Sequence, residues 1–155
     1  MARLGLTLNE VKTSVKDART ERFDFLGYSF GRHCYQRNGN RYLGASPSEK
    51  SVKRVKTKVS EVLVPGNVQP WPEVCGRLNS LLRGWAAYFC YGTRSRAYKA
   101  VDHHVCGRVR HFLRRRHKVP SRGTKQFPSD LIFGRLGVLA MDYRRGSCNE
   151  TSRRA

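Results

Sequence analysis

The hydrophobic pattern of this 155-residue chain changes period near residue 46, which limits the fold to a small strand unit followed by a helical one. Before the change, Phe23, Phe25, Tyr28 and Phe30 give near-alternating aromatic content, interrupted by Leu26, and Tyr35 and Tyr42 flank Arg37-Asn38-Gly39-Asn40. The Asn-Gly pair suits the positive-φ positions of a type I′ turn, so a two-stranded β-hairpin is expected, with Val11 to Val15 as a candidate further strand. A lone hairpin is marginal in water and presents unpaired edges. Residues 1–45 are therefore expected to be poorly protected or association-prone in isolation, while the helices stay ordered.

After the change, apolar residues recur at three and four. Ser46-Pro47-Ser48-Glu49 reads as a capping box with Pro at the first helical position, and Val52, Val55, Val59 and Val62 follow until Val64-Pro65-Gly66 stops the run. A second helix is expected from Trp71-Pro72-Glu73, with Val74, Leu78, Leu81, Trp85 and Tyr88 as its stripe, Leu82 and Phe89 widening it, and Gly92 as its end. Its few charges make it the expected buried centre, with Leu82, Trp85, Tyr88 and Phe89 in the core. Gly84 inside it costs about 1 kcal/mol relative to Ala unless another helix or a ligand approaches closely there. The third helix starts at Ser95 and turns Tyr98, Val101, Val105, Val109 and Phe112 inward. Past Pro120 a loop covers residues 121–126, the apolar residues from Leu131 to Leu139 are expected to pack back on the bundle, and the chain is polar from Asp142 on. The fold class is α+β, mainly α, in three segments: 1–45, 46–118 and 119–155.

Charge narrows the partners. With 31 Lys+Arg against 11 Asp+Glu, a formal +20, a polyanion is the expected ligand. No apolar run approaches the roughly 18 residues of a membrane helix, and Met1 to Leu6 lacks the apolar core of a secretory signal, so no membrane partner and a cytoplasmic location are expected. The five cysteines are scattered without a C-x-x-C pair, which suggests reduced thiols rather than a disulfide framework or a zinc ribbon. The aspartates never pair in sequence. His103-His104-x-Cys106 with His111 and His117 does not set three ligands on one helical face, and no phosphate-cradling glycine loop or G-x-S-x-G elbow occurs. No catalytic residue, metal or cofactor is expected.

The basic residues are patterned. From Arg94 to Arg122 there are ten Lys/Arg and one acid, Asp102, whereas a merely solvated face usually carries both signs. The expected nucleic-acid contacts are Lys50, Lys53, Arg54 and Lys56 on the first helix and Arg96, Lys99, Arg108, Arg110, Arg114, Arg115 and Arg116 on the third. Arg83 on the second either joins them or ties its helix to a neighbouring carbonyl. Arginine suits bidentate phosphate contact, and double-stranded RNA is read by shape, phosphate and 2′-hydroxyl.

Three stretches carry a resemblance. Phe23-Asp24-Phe25-Leu26-Gly27-Tyr28-Ser29-Phe30, Pro47-Ser48-Glu49-Lys50-Ser51-Val52-Lys53-Arg54 and Leu78-Asn79-Ser80-Leu81-Leu82-Arg83-Gly84-Trp85-Ala86-Ala87-Tyr88-Phe89 together resemble the C-terminal part of group II intron reverse transcriptase/maturases. Leu4 to Asn9 with Lys12-Thr13 looks like the last palm segment of that family. The resemblance implies a palm remnant with its β-hairpin over 1–45, a three-helix thumb, or domain X, over 46–118, and a C-terminal loop, short apolar segment and tail over 119–155. It also implies an RNA-binding function: a maturase-specific domain assisting intron RNA folding and splicing, encoded by a mobile genetic element. The implied partners are structured intron RNA, an RNA/DNA primer-template duplex and a separately encoded palm/fingers polypeptide. The family is an RNA-directed DNA polymerase, but its Tyr-Ala-Asp-Asp motif is absent here, so this chain alone is not expected to polymerise. The alternatives are a basic helical DNA-binding protein outside the maturases, or an inactive remnant of a mobile element.

Overall fold

The computed structural model describes residues 17–34 and 39–142, with three strands ahead of three helices. Strands β1 (Phe23–Phe25), β2 (Tyr28–Cys34) and β3 (Arg41–Pro47) form an antiparallel meander in that order. The expected two-stranded hairpin is therefore only part of the sheet, because Phe23 to Phe30 folds back on itself. Phe25 pairs with Tyr28 across Leu26 and Gly27, whose φ values are 49° and 82°. Two positive φ angles in a two-residue loop give the turn whose twist matches the flanking strands. Leucine in that region costs about 1–2 kcal/mol, and hydrogen bonds offset it. The Tyr88 hydroxyl donates to the Leu26 carbonyl at 2.8 Å and the Tyr28 hydroxyl to the Tyr88 carbonyl at 2.8 Å. The expected Asn-Gly turn falls partly on residues 35–38, outside the described residues, as do Leu4 to Thr13 and the candidate strand Val11 to Val15. On either side of that turn Cys34 pairs with Arg41, which joins β2 to β3.

Helix α1 (Glu49–Val62) is capped two residues later than expected, at Ser48 rather than Ser46. Ser46 and Pro47 pair with Ser29 and Tyr28 in the sheet, so their backbone is extended rather than helical. Ser48 takes over: its Oγ accepts the Ser51 N–H at 3.3 Å. The same corner fastens the helix to the sheet, since the Ser48 N–H and the Ser51 hydroxyl both donate to the Gly27 carbonyl, at 2.8 and 2.9 Å.

Helices α2 (Trp71–Tyr88) and α3 (Ser95–Arg116) begin where the sequence pattern puts them. The inward set of α3, Tyr98, Val101, Val105, Val109 and Phe112, is buried as its spacing requires. Helix α2 buries Val74, Cys75, Leu78 and Leu82, yet it is not buried all round. Arg77, Ser80, Arg83, Gly84 and Ala87 are exposed, so its low charge reflects small residues on the outer face. Nothing lies within 4 Å of a Cβ built at Gly84. Leu82 and Phe89 are in the core, but Trp85 is half-buried and Tyr88 is 55% exposed. The last turn of α2 runs beyond the core to meet the sheet, where Tyr28 packs 4.9 Å from Phe89 and 6.1 Å from Tyr88, centroid to centroid. Gly92 lies past the helix end, with φ +72°, and lets the link to α3 lie against β3. A Cβ there would fall 2.2 Å from the Ala45 carbonyl oxygen, which accepts the next amide, that of Thr93, at 2.8 Å. The sheet is docked on the helices at Gly27 and Ala45.

The segment after α3 packs back on the bundle as expected. A wide turn at Leu131–Arg135, closed by the Leu136 amide on the Leu131 carbonyl at 2.8 Å, brings Ile132, Phe133 and Val138 into the same core as Val55, Val59 and Val105. Burying each such side chain contributes about 1.5–3 kcal/mol. Three polar side chains hold the strand of chain that follows. Trp71 Nε1 donates to the Leu136 carbonyl at 3.1 Å. Asn79 donates to the Gly137 carbonyl at 2.8 Å and accepts the Leu139 amide at 2.7 Å. Asp102, 6% exposed, accepts the Met141 and Asp142 amides at 3.1 and 2.8 Å. Burial pushes the Asp102 carboxyl above its ordinary range, with the two amides pulling the other way. Residues 143–155, the expected polar tail, lie outside the described residues. Among the described residues no helix is long and apolar enough to cross a membrane.

Candidate nucleic-acid interface

Among the described residues, the expected cations of α1 and α3 that line a cavity fall into two of them, and a further set stands at the end of α3. The largest set meets in a groove of about 1510 Å³ between the sheet, α1 and the start of α3. Lys50, Lys53 and Lys56 line it from α1, at a three-residue spacing that keeps them on one side of the helix. Arg96 enters from the first turn of α3, because the Thr93 contact with Ala45 swings that turn against β3. Arg22, just ahead of β1, adds a fifth cation. Phe23, Asp24 and Phe25 of β1 also line it, and Glu49, at the start of α1 beside Lys50, adds a second carboxylate.

A second cavity, about 760 Å³, lies between α3 and the returning segment and takes Lys99 and Arg110 from the expected set. Its chemistry is mixed. Lys99 Nζ is 3.8 Å from Asp142 Oδ2, Asp102 lines the floor, and Arg110 is committed internally, donating from Nε to the Phe127 carbonyl at 3.0 Å and contacting Cys106 Sγ at 3.4 Å. The end of α3 carries the third set. Arg114, Arg115 and Arg116 crowd its last turn, where positive charge complements the helix dipole. Arg115 is exposed, while Arg116 donates to the Gln69 carbonyl at 2.7 Å and lies 5.9 Å over the Phe112 ring.

Three expected residues join none of these sets. Arg54 is exposed on α1 away from the groove, and Arg83 is exposed on α2. The neighbouring-carbonyl role considered for Arg83 is filled by Asn79. Arg108 is half-buried, and its Nε has no hydrogen-bond partner among the described residues. Sequence reasoning missed Arg22, Phe23, Phe25 and His33 as groove-lining residues. Nothing local marks them, since only the turn at Leu26-Gly27 and the register of β1 on β2 bring them to the groove.

The α3 histidines and Cys106 separate in the same way. His104 turns toward α1, where Nε2 lies 3.1 Å from the Lys56 carbonyl oxygen and 3.3 Å from Ser60 Oγ. A nitrogen facing a carbonyl must carry its proton, so Nε2–H donates there. His103 is exposed, and Cys106 is occupied by Arg110 and by Ser129, 3.5 Å away. Among the described residues no group of three or more His, Cys, Asp or Glu comes together as a metal site would require.

Burial, aided by the positive charges of Lys56 and Arg108, holds His104 below its ordinary pKa. Burial also lowers His33, with help from Arg22, and His111, with help from Arg115, Arg114 and Arg108. A base with a depressed folded pKa binds its proton more readily when unfolded, so its contribution is intact above the unfolded value, about 6.5, and is lost as pH falls toward the folded value. Stability should therefore decline from pH 7 to pH 5, and His104→Gln should flatten that decline. Denaturant melts across the interval measure it; an unchanged slope in the variant would show that His104 does not titrate with unfolding.

Comparison with known families agrees with this geometry. The model of the group II intron, maturase-specific domain matches residues 52–127, from the first turn of α1 through α2 and α3 to Phe127. No curated protein matches the chain. The helical part of the chain, residues 52–127, is thus similar to the group II intron, maturase-specific domain.

Proposed function

We propose that this chain is the RNA-binding, thumb-like part of a group II intron reverse transcriptase/maturase, and that it stabilises folded intron RNA for splicing. The observation that carries the reading is the convergence of Lys50, Lys53, Lys56, Arg96 and Arg22, from three separate parts of the chain, on one groove. A solvated surface has no reason to gather like charges from distant segments, since their mutual repulsion opposes folding; a phosphate chain supplies the reason. Arg114 and Arg115 at the far end of α3 offer a second contact region, so a folded RNA can engage both where a short strand reaches one. The chain itself contributes grip and orientation. Primer extension would require a palm with its carboxylate pair, either in the same polypeptide or separately encoded.

Binding of the purified chain to a folded group II intron RNA and to an unstructured RNA of equal length, titrated across salt, tests this. Tighter binding to the intron is expected, with affinity falling about 10³- to 10⁵-fold between about 50 and 200 mM salt if roughly six to ten phosphates are neutralised. Equal affinity for both RNAs, or no salt dependence, removes the proposal. A preference for duplex DNA over either RNA would favour the DNA-binding alternative.

A further inference from the structure

We propose that Arg108, with His104 and His111 beside it on α3, forms a binding site for a phosphate of the RNA backbone, and that filling the site draws protons onto those histidines. This rests on the RNA-binding reading above and adds to it a particular cation and a proton linkage.

Arg108 is half-buried, its Nε is enclosed, and among the described residues its guanidinium forms no hydrogen bond or ion pair. Its neighbours show how the fold otherwise settles such a group: Arg110 donates to the Phe127 carbonyl and Arg116 to the Gln69 carbonyl. A guanidinium drawn out of water without an acceptor costs free energy, and positive charge close by adds to the cost. An aliphatic side chain would fill the space without that penalty. An anion that meets the guanidinium removes it, and the planar arginine fork suits the paired oxygens of a phosphate.

Position points to the source of that phosphate. His104, Arg108, His111 and Arg115 recur at four, three and four residues, which sets them in one stripe along α3. Ala97 and Ala100, on the same stripe nearer the start of α3, line the groove that holds the α1 lysines. Arg108 stands about 12 Å beyond Ala100 and about 10 Å before Arg115, at about 1.5 Å of rise per residue. An RNA backbone that engages the groove and the end of α3 together passes Arg108, whereas a free phosphate gains nothing from that alignment.

The two histidines give the site a signature. His104 Nε2–H is already committed to the Lys56 carbonyl, so Nδ1 is the atom left to take up a proton. Among the described residues, the charged groups that act on the two rings are Lys56 from α1 and Arg108, Arg114 and Arg115 from α3, with His103 beside His104. Burial first, and then these neighbours, hold both rings below their ordinary pKa. A phosphate on Arg108 opposes the cations and favours imidazolium. The histidine pKa values then rise on binding, so affinity should increase as pH falls through the bound-state values and level off below the free ones.

Calorimetric titration of the full chain with folded intron RNA at neutral pH, in two buffers of different ionisation enthalpy, counts the protons taken up. Net uptake is expected in the wild type, and less of it in His111→Gln. Arg108→Gln should weaken binding about 10-fold and flatten the salt slope by roughly 1. Arg108→Lys should fall between, since it keeps the charge and loses the fork. Without RNA, Arg108→Gln should melt at or above the wild-type temperature, because the unpaired charge has gone. A lower melting temperature with unchanged affinity and salt slope would make Arg108 a packing residue and overturn the site. Uptake undiminished in both the His111 and Arg108 variants would belong to His33 in the groove and overturn the linkage. Inorganic phosphate at the RNA's concentration should cause no uptake; uptake as large as with RNA would assign the site to free phosphate and overturn the RNA assignment. If the wild-type chain does not bind the RNA, the reading above falls and takes this inference with it; if it binds and the variants match it, this inference alone falls.

Discussion

Replacing Leu82 by alanine should cost the fold about 2–5 kcal/mol, the range for removing a large aliphatic side chain from a packed interior. Leu82 is fully buried on α2, in the core that also takes Val55 and Val59 from α1, Val105 from α3 and Ile132 from the returning segment. Those groups are anchored to separate elements, so they cannot all relax into the space left behind. Against a total stability of about 5–15 kcal/mol for a domain, the loss is a large fraction. It should lower the melting temperature by roughly 4–20 °C at about 2–4 °C per kcal/mol. Leu82→Met, which keeps the volume, should cost less than about 1.5 kcal/mol. Chemical denaturation of the two variants checks this, and an alanine variant as stable as the methionine one would place the core elsewhere. Trp85, which the helical spacing alone makes equally central, is half-buried, and its indole Nε1 has no hydrogen-bond partner among the described residues.

The triple substitution Lys50→Ala, Lys53→Ala, Lys56→Ala should weaken intron RNA binding about 100-fold at ~0.1 M salt, and should flatten the slope of log affinity against log salt by roughly 2 to 3. Each lysine that neutralises one phosphate releases a share of condensed counterion, and three such contacts account for both numbers. The side chains of Lys50 and Lys53 are exposed and that of Lys56 is half-buried, so folding should be largely preserved, which circular dichroism would verify. The same change at Lys58, an exposed α1 cation that does not line the groove, should have a much smaller effect. An unchanged salt slope in the triple variant would mean that the RNA is gripped elsewhere, with Arg114 and Arg115 as the next place to look.

Local chemistry made much of the fold legible. The valine spacing of α1 and the inward set of α3 read correctly because each helix needs only one apolar stripe to dock. The cap was misplaced by two residues because Ser46-Pro47-Ser48-Glu49 satisfies the capping pattern in isolation, while in the folded chain Ser46 and Pro47 complete a sheet edge opposite Ser29 and Tyr28. The third strand was missed because Leu26-Gly27 lacks the usual turn residues, and the tyrosine hydrogen bonds that hold it come from some sixty residues away. Asn79 read only as a polar member of an apolar helix. Its partners, Gly137 and Leu139, lie on a segment that local pattern cannot place.

For the candidate site, the types of residue were visible before their grouping was. The sequence alone determined that this chain is basic and where its helices run, because charge and periodicity are properties of short segments, while its motifs carried the resemblance to the maturases. Only the tertiary structure decided which cations meet. Arg96 joins the α1 lysines because Gly92 lets backbone approach backbone at Ala45, and Arg22 and Phe25 join them because a tight turn folds β1 over β2. Arg110 and Arg116 are drawn off to internal carbonyls. Those outcomes depend on contacts between residues far apart in the chain, whose free energy no local window contains.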